Sequence, residues 1–436
     1  MSSIREIALK LILEYEREGK FVNLSLSSHI ADKLSREERA ALTALLYTSV
    51  ERKLTYDYYI GSLAGRSLDK IDDRVRGILR LGLCQIIDMD SVPDFAAVNE
   101  TVKLCKNSGE RSFVNGVLRS CVRNKGALPM PPREKNLARH LSVKYSFPQK
   151  TVKHFISLFG ESDAEKILSR YNENLPTDVT VNTNKISVSD FLDKLISDGY
   201  KAEMLPYSDI SVRIYGNVDP RRLFGFFDGL FFVQDAASAV CASALGAKEG
   251  DLVIDVCACP GGKSFASAIL MRDRGRIESF DIHESKLSLI ESGRERLGIS
   301  SVTASVCDAS IGREELFGKA DRVICDVPCS GFGVVAKKPE IRYKDPEDAR
   351  ALPNIQYDIL CMASRYLKKG GILVYSTCTI LPEENEANIK RFLDEHKDFS
   401  TLPFSYGEFS AESGMVTLLP HIHGTDGFFI CKLTRL

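Results

Sequence analysis

The sequence has almost no net charge: 58 lysines and arginines against 59 aspartates and glutamates leave −1 over 436 residues. The whole-chain balance therefore announces no nucleic-acid partner. It has no apolar run long enough to span a bilayer, and Arg5, Glu6 and Lys10 interrupt any signal-peptide core at the start. A cytoplasmic protein with no membrane partner is expected, its 12 cysteines reduced. None of Cys257, Cys259, Cys325, Cys329 and Cys378 forms a C-x-x-C pair, and His421 and His423 have no recognised ligand pairing, so no metal is expected. Internal repeats and low-complexity segments are absent too.

What is present is ordinary globular composition, 44% hydrophobic and 27% charged, in a chain long enough for two or three domains. To about Lys125 the apolar residues keep helical spacing, as in Ile4, Ile7, Ala8, Leu11 and Ile12, and strand signals are missing. Gly126 to Pro132 suits neither helix nor strand and is expected as a linker. A small α+β segment follows, with helices over 150–159 and 188–199 and short strands over 179–182, 202–205 and 211–214. From about Gly250 strands alternate with helices. Strands are expected over 252–257, 277–281, 302–308, 322–326 and 371–376, and helices over 264–271, 287–297, from Pro346 and from Pro382. That rhythm implies a mostly parallel, doubly wound sheet. Segments 415–419 and 427–433 are expected to form a terminal hairpin. Charge is uneven: between Lys103 and Lys153, 12 lysines and arginines face only Glu110 and Glu134, a stretch suited to phosphates or to a solvated helix face.

Three features carry chemistry. Asp255-Val-Cys257-Ala258-Cys259-Pro260-Gly261-Gly262-Lys263 lies between a strand and a helix, where glycines admit a ligand and a helix start offers free N–H groups. It is neither a G-x-G-x-x-G fingerprint nor a Walker A loop. Asp281, Asp308 and Asp326 end successive strands and so face one crevice; an acid at the second strand's end can bind both ribose hydroxyls. Cys329 and Cys378 also follow strand ends. Carbon 5 of cytosine becomes nucleophilic only after a thiolate adds at carbon 6, so such a reaction needs a nucleophilic cysteine and a base. Cys378 just before a helix start suits a thiolate; two packed core cysteines are the plainer alternative.

Together Val233-Gln234-Asp235-Ala-Ala-Ser, Cys257 to Lys263, Asp326-Val-Pro-Cys329-Ser-Gly331 and Ser376-Thr-Cys378 resemble the Sun-type RNA cytosine-C5 methyltransferases. Lys338-Pro-Glu-Ile-Arg342 and Asp426-Gly-Phe-Phe429 extend the likeness. Segments 73–82, 92–100 and 113–119 resemble the NusB-like RNA-binding domain. Domain order and motifs together are similar to the bacterial members acting on 16S ribosomal RNA.

The resemblance implies three parts: a NusB-like all-α domain over 1–127, a linker and small α+β RNA-positioning domain over 128–232, and a Rossmann-like class I methyltransferase domain over 233–436. It implies S-adenosyl-L-methionine bound by Cys257, Ala258, Cys259, Pro260, Gly261, Gly262 and Lys263, with Asp281 at the ribose and Asp308 at the adenine. Asp326 would lie between cofactor and base, Cys378 would be the nucleophile, and Cys329 would assist release. A monomer acting on ribosomal RNA is expected. Cys259 stands for a usual Ala, Ser264 for a usual Thr, and Phe332 for a usual small polar residue, the last bearing on the base pocket. Alternatives are another RNA such as tRNA, or a non-catalytic RNA-binding assembly factor. DNA cytosine-C5 methyltransferases use the Pro-Cys cysteine and carry Glu-Asn-Val downstream, whereas here Glu384-Asn385-Glu386 follows the second cysteine.

Overall fold

The computed structural model describes residues 3–18, 34–216, 218–406 and 409–436, which group into two compact units. Unit 1 is Met1–Asn172 with Lys337–Pro346; unit 2 is Glu173–Ala336 with Glu347–Leu436.

Unit 1 is helical, as the apolar spacing predicts. Helices Ile4–Glu18, Arg36–Glu51, Lys53–Ala64, Asp73–Asp88, Asp94–Val102 and Ser108–Arg123 send their stripes into one core, including Ile7, Leu11, Leu45, Ile60, Ile78, Leu83 and Leu118. Caps fix the starts: Ser35 and Glu38 form a capping box, and the Asn107 side chain accepts from the Glu110 N–H. Helices Leu137–Tyr145 and Gln149–Arg170 complete the run, the second kinked at Gly160. Of the 12 basic residues from Lys103 to Lys153, all but Lys144 are exposed.

A short strap, Lys337–Pro346, belongs to unit 1 although its sequence neighbours belong to unit 2. Its Arg342 is fully buried. The guanidinium donates to the carbonyls of Glu51 (3.2 Å), Tyr145 (3.2 Å) and Tyr171 (3.4 Å), to Asn172 Oδ1 (2.7 Å) and to Glu51 Oε1 (3.3 Å). It also lies 4.8 Å from the Phe147 ring centroid.

Unit 2 contains two main sheets. The smaller has the order β2-β3-β1-β4, all antiparallel: β1 Thr177–Val181, β2 Ala202–Met204, β3 Ser211–Ile214 and β4 Phe231–Val233. Helix Val188–Ser197 buries Val188, Phe191 and Leu195 in the core shared with Val179, Val212 and Phe231. The strand β4 was not expected; at three residues it is too short to show a period.

The larger sheet runs β10-β14-β9-β8-β5-β6-β7, with β13 added on β14: β5 Leu252–Asp255, β6 Arg276–Asp281, β7 Val302–Val306, β8 Ala320–Asp326, β9 Leu367–Thr377, β10 Phe399–Thr401, β13 Met415–Leu418 and β14 Phe428–Arg435; β11 Phe404–Tyr406 and β12 Phe409–Ala411 pair apart from it. Strands β5 to β9 are parallel and β14 is antiparallel to β9, while β13 and β14 form the expected hairpin. Both faces are covered. Val253, Val374 and Ile430 share one core with helices Ala236–Leu245, Gly262–Leu270 and Glu284–Leu297. Their neighbours Ile254, Leu373, Tyr375 and Phe429 face the other core, with helices Leu352–Tyr366 and Glu386–Glu395.

Two expected helix starts shift. Pro346 opens a 3-10 turn to Ala351 before the helix proper at Leu352. The helix expected at Pro382 begins at Glu386, after a turn over 382–385 in which Glu384 and Asn385 are buried. Their side chains hold other loops instead of lining a first helical turn.

Candidate active site

The parallel strands end along one edge. In sheet order that edge carries Cys378 after β9, Asp326 at the end of β8, Asp255 at the end of β5, Asp281 at the end of β6 and Asp308 after β7. Strand order reverses between β5 and β8, so a crevice opens there for a ligand. The sequence-predicted residues therefore split into a β5–β7 half and a β8–β9 half on either side of this point.

The loop after β5 is tightly formed. Gly261 takes φ 107°, and a Cβ there would lie 2.5 Å from the Phe265 ring, so only glycine serves. The helix that follows has no side-chain cap, leaving N–H groups of its first turn for a ligand. Ser264 supplies a hydroxyl bridging Asp255 Oδ2 (2.7 Å) and Ser279 (2.8 Å). Asp281 Oδ1 accepts from the His283 N–H at 2.9 Å. Asp308 Oδ1 accepts from the Ser310 hydroxyl (2.6 Å) and N–H (2.9 Å), which hold its carboxyl below the usual range.

Lys263 spans the reversal point. Its Nζ donates to Asp326 Oδ2 at 2.6 Å and sits 5.2 Å from the Phe428 ring centroid. Burial alone would pull this ammonium's pKa down, but Asp326, with Cys241 and Asp255 adding to it, makes the net shift upward. The second Asp326 oxygen accepts from Ser376 Oγ at 2.6 Å. Ser376 is thus a site residue that lay within a quoted motif without an assigned role.

Cys329 and Cys378 meet with their sulfurs 3.1 Å apart, both half-buried. The two loops are sewn together: Gly333 N–H donates to the Cys378 carbonyl at 3.0 Å, and Ser330 and Thr379 share a 2.8 Å hydroxyl contact. A Cβ on Gly333 would lie 1.8 Å from the Gly427 carbonyl oxygen, so the approach requires glycine. The hydrogen bond with Cys378, followed by burial, pushes the Cys329 thiol well above its ordinary range. Cys329 is thus favoured as a thiol, and either sulfur of the pair can be the donor in their contact.

The remaining cysteines are poor nucleophiles. Burial, reinforced by Asp281, pushes Cys259 up to about 12, and Cys257 and Cys325 are also raised by burial. Cys259 Sγ lies 3.2 Å from the Lys286 carbonyl. Phe332 is fully buried in the loop after Cys329. Among the described residues no group of three or more His, Cys, Asp or Glu is placed to hold a metal ion, and no helix is long and apolar enough to cross a membrane.

Burial pushes the Asp255 carboxyl up to about 7, and its Oδ1 has no hydrogen-bond partner. The folded state thus holds a proton that the unfolded chain releases near pH 4, so Asp255 costs stability as pH rises toward 7. Asp255→Asn is expected to gain on the parent across that window, by up to about 1.4 kcal/mol per pH unit. Urea midpoints at pH 5 and 7.5 measure this; a constant difference between the two proteins would refute it.

Three family models match in series: "NusB family" over residues 2–123, "Methyltr_RsmF/B-like, ferredoxin-like domain" over 147–220, and "16S rRNA methyltransferase RsmB/F" over 242–434. A probable ribosomal RNA small subunit methyltransferase B of Bacillus subtilis is 35% identical, covering 100% of this chain and 99% of its own. One so named from Synechocystis is 33% identical, with 100% of both chains covered. The crystal structure of NSun6 from Pyrococcus horikoshii with SFG superposes at TM-score 0.60 and 25% identity, covering 67% of this chain and 99% of that one. From its helical beginning to its cysteine-bearing sheet edge, the chain belongs to the 16S rRNA methyltransferase RsmB/F family.

Proposed function

We propose that this methyltransferase transfers a methyl group from S-adenosyl-L-methionine to carbon 5 of a cytosine in 16S ribosomal RNA, with Cys378 as covalent nucleophile. The observation that carries the proposal is the 3.1 Å pair of sulfurs beside the Lys263–Asp326 bridge, at the reversal point of the sheet. The β5–β7 half suits the cofactor. Its uncapped helix start, the loop Cys257 to Lys263 and the row of Asp281 and Asp308 fit an adenosine bearing a cationic sulfonium. SFG, bound in the NSun6 structure, is an analogue of that cofactor. S-Adenosylmethionine supplies the electrophilic methyl group.

The chain's own residues do the rest. Cys378 adds as thiolate to carbon 6, and the C5=C6 electrons pass to carbon 5, which takes the methyl. The carbon-5 proton then leaves to a base, its electron pair rebuilds C5=C6, and the C6–S bond breaks to return the Cys378 thiolate. Cys329 assists this release. Asp326, fixed by Lys263 and Ser376, stands between cofactor and base. The exposed basic residues of unit 1 engage phosphates and position the RNA, while the target base is flipped out of its stack. The same reading divides the chain at 1–127, 128–232 and 233–436, and places the protein in the cytoplasm as a monomer without a metal.

The test is direct: incubate the protein with methyl-labelled cofactor and 16S ribosomal RNA, digest to nucleosides and identify the labelled product. Labelled 5-methylcytidine is expected, and label in any other nucleoside refutes the proposal. Asp281→Ala should weaken cofactor binding by roughly 1.5–3 kcal/mol through the lost charge-assisted hydrogen bonds. Unchanged affinity in calorimetric titration would remove Asp281 from the ribose site.

A further inference from the structure

Behind the two cysteine loops lies a buried polar cluster that the reaction above does not use: Gln356, Glu384, Asn385 and Asn388, each at most 4% exposed. Glu384 Oε2 accepts from the Ser330 N–H at 2.9 Å and from Gln356 Nε2 at 2.7 Å. The same Gln356 nitrogen donates to the Pro328 carbonyl at 3.1 Å. One carboxylate–amide pair therefore grips the backbone on both sides of Cys329. Asn388 fixes the amide's orientation by donating to Gln356 Oε1 at 3.2 Å.

The next residue does the equivalent for the other cysteine. Asn385 Oδ1 accepts from Thr377 Oγ1 at 2.6 Å, and its Nδ2 donates to the Thr379 carbonyl at 3.1 Å. Cys378 is thus bracketed by a side chain that must accept and donate at once, which asparagine can do and aspartate or leucine cannot. The Glu384 backbone is itself held, because its carbonyl accepts from the Tyr375 hydroxyl at 2.7 Å. Glu384 Oε1 is buried without a hydrogen-bond partner, a costly arrangement if packing were its only purpose.

We propose that Glu384 and Asn385 are positioning residues with divided tasks: Glu384, through Gln356, sets Cys329 for release, and Asn385 sets Cys378 for attack. Because they are consecutive, one turn of backbone fixes both loops and hence the spacing of the two sulfurs. A small displacement of either sulfur is enough to matter, since misplacement of a reacting group by about 1 Å can cost roughly 10²-fold in rate. The proposal rests on the two-cysteine reading above.

The test uses the full chain with 16S ribosomal RNA and labelled cofactor. It follows single-turnover methyl transfer, multiple turnover and covalent protein–RNA species on denaturing gels. Cys378→Ala and Cys329→Ala run alongside as references, and calorimetric cofactor binding checks the fold. Glu384→Met is expected to keep single-turnover transfer but lose turnover by about 10²-fold and accumulate adduct, with Glu384→Gln restoring turnover because its carbonyl still accepts both bonds. Asn385→Leu is expected to slow single-turnover transfer by about 10²-fold with no adduct accumulating. Should the larger changes unfold the protein, Glu384→Asp and Asn385→Asp ask the same question with minimal change in volume: partial trapping from the first, slower attack without trapping from the second. Identical phenotypes from the two positions, or parental behaviour of either, overturn the proposal. If Cys329→Ala traps no adduct, the two-cysteine reading itself has failed; if the references behave as expected and the Glu384 and Asn385 variants do not separate, only this inference fails.

Discussion

Cys378→Ala should abolish methyl transfer, by on the order of 10⁴-fold or more, and with it every covalent protein–RNA species. Cys329→Ala should behave differently. Attack and methyl transfer remain possible, but release is impaired, so a slow-migrating protein–RNA adduct should build up on a denaturing gel. The kinetic reason is that losing a group needed only after methyl transfer makes the covalent species accumulate. The electrostatics agree with this division. Cys329 is the thiol whose protonated form is favoured, by the hydrogen bond with Cys378 and by burial. A DNA-type use of the Pro-Cys cysteine predicts the reverse pattern, with no adduct from Cys329→Ala. Two merely structural cysteines predict no adduct from either variant and modest losses of stability. An adduct from Cys378→Ala but none from Cys329→Ala would overturn the assignment.

Arg342→Met should cost about 3–5 kcal/mol, because it removes at once the buried hydrogen bonds of the guanidinium and the cation paired with Glu51. Four of its acceptors are backbone carbonyls, of Glu51, Tyr145, Tyr171 and Pro339, and no side-chain change nearby can remove them. For a unit of this size the loss corresponds to a fall in Tm on the order of 10 °C. Burial pulls the guanidinium's pKa down and Glu51 partly offsets it, so the charge is tolerated here because its hydrogen bonds are made. Arg342→Lys should not rescue, since a single ammonium cannot reproduce the planar fork. Scanning calorimetry measures the effect; a transition within about 1 °C of the parent would show that these bonds contribute nothing net.

The larger sheet was legible because alternating strands and helices have different periods, and strands two faces deep read as apolar runs. The acids at strand ends followed from the same rhythm. What was not legible depends on contacts distant in sequence. Lys263 and Asp326 were both expected at the site, but not the bond between them, which joins residues 63 positions apart. Glu384 and Asn385 were visible as a departure from the DNA-type Glu-Asn-Val pattern, but the Glu384 bond to Ser330 exists only after β8 and β9 lie side by side, and the Asn385 bonds to Thr377 and Thr379 only after the turn over 382–385 folds back on the end of β9. The shifted helix start after Pro382 has the same cause: a proline and two glutamates signal a first turn, and nothing local says that Glu384 is called inward. The strand β4 left no periodic trace at all.

The strap that carries Arg342 also sets an order for biosynthesis. The chain emerges from the N-terminus, and the carbonyls of Glu51, Tyr145 and Tyr171 are made long before the guanidinium that will satisfy them. Between Asn172 and Arg342 roughly 170 further residues must be added. At about 5–20 residues per second that is a wait of about 10–35 s. During it the helical unit lacks its last ten residues, and its open carbonyls must be hydrated by water. The helical unit is the first to be started, yet it cannot close until its strap follows β5 to β8, half the strands of the larger sheet, off the ribosome.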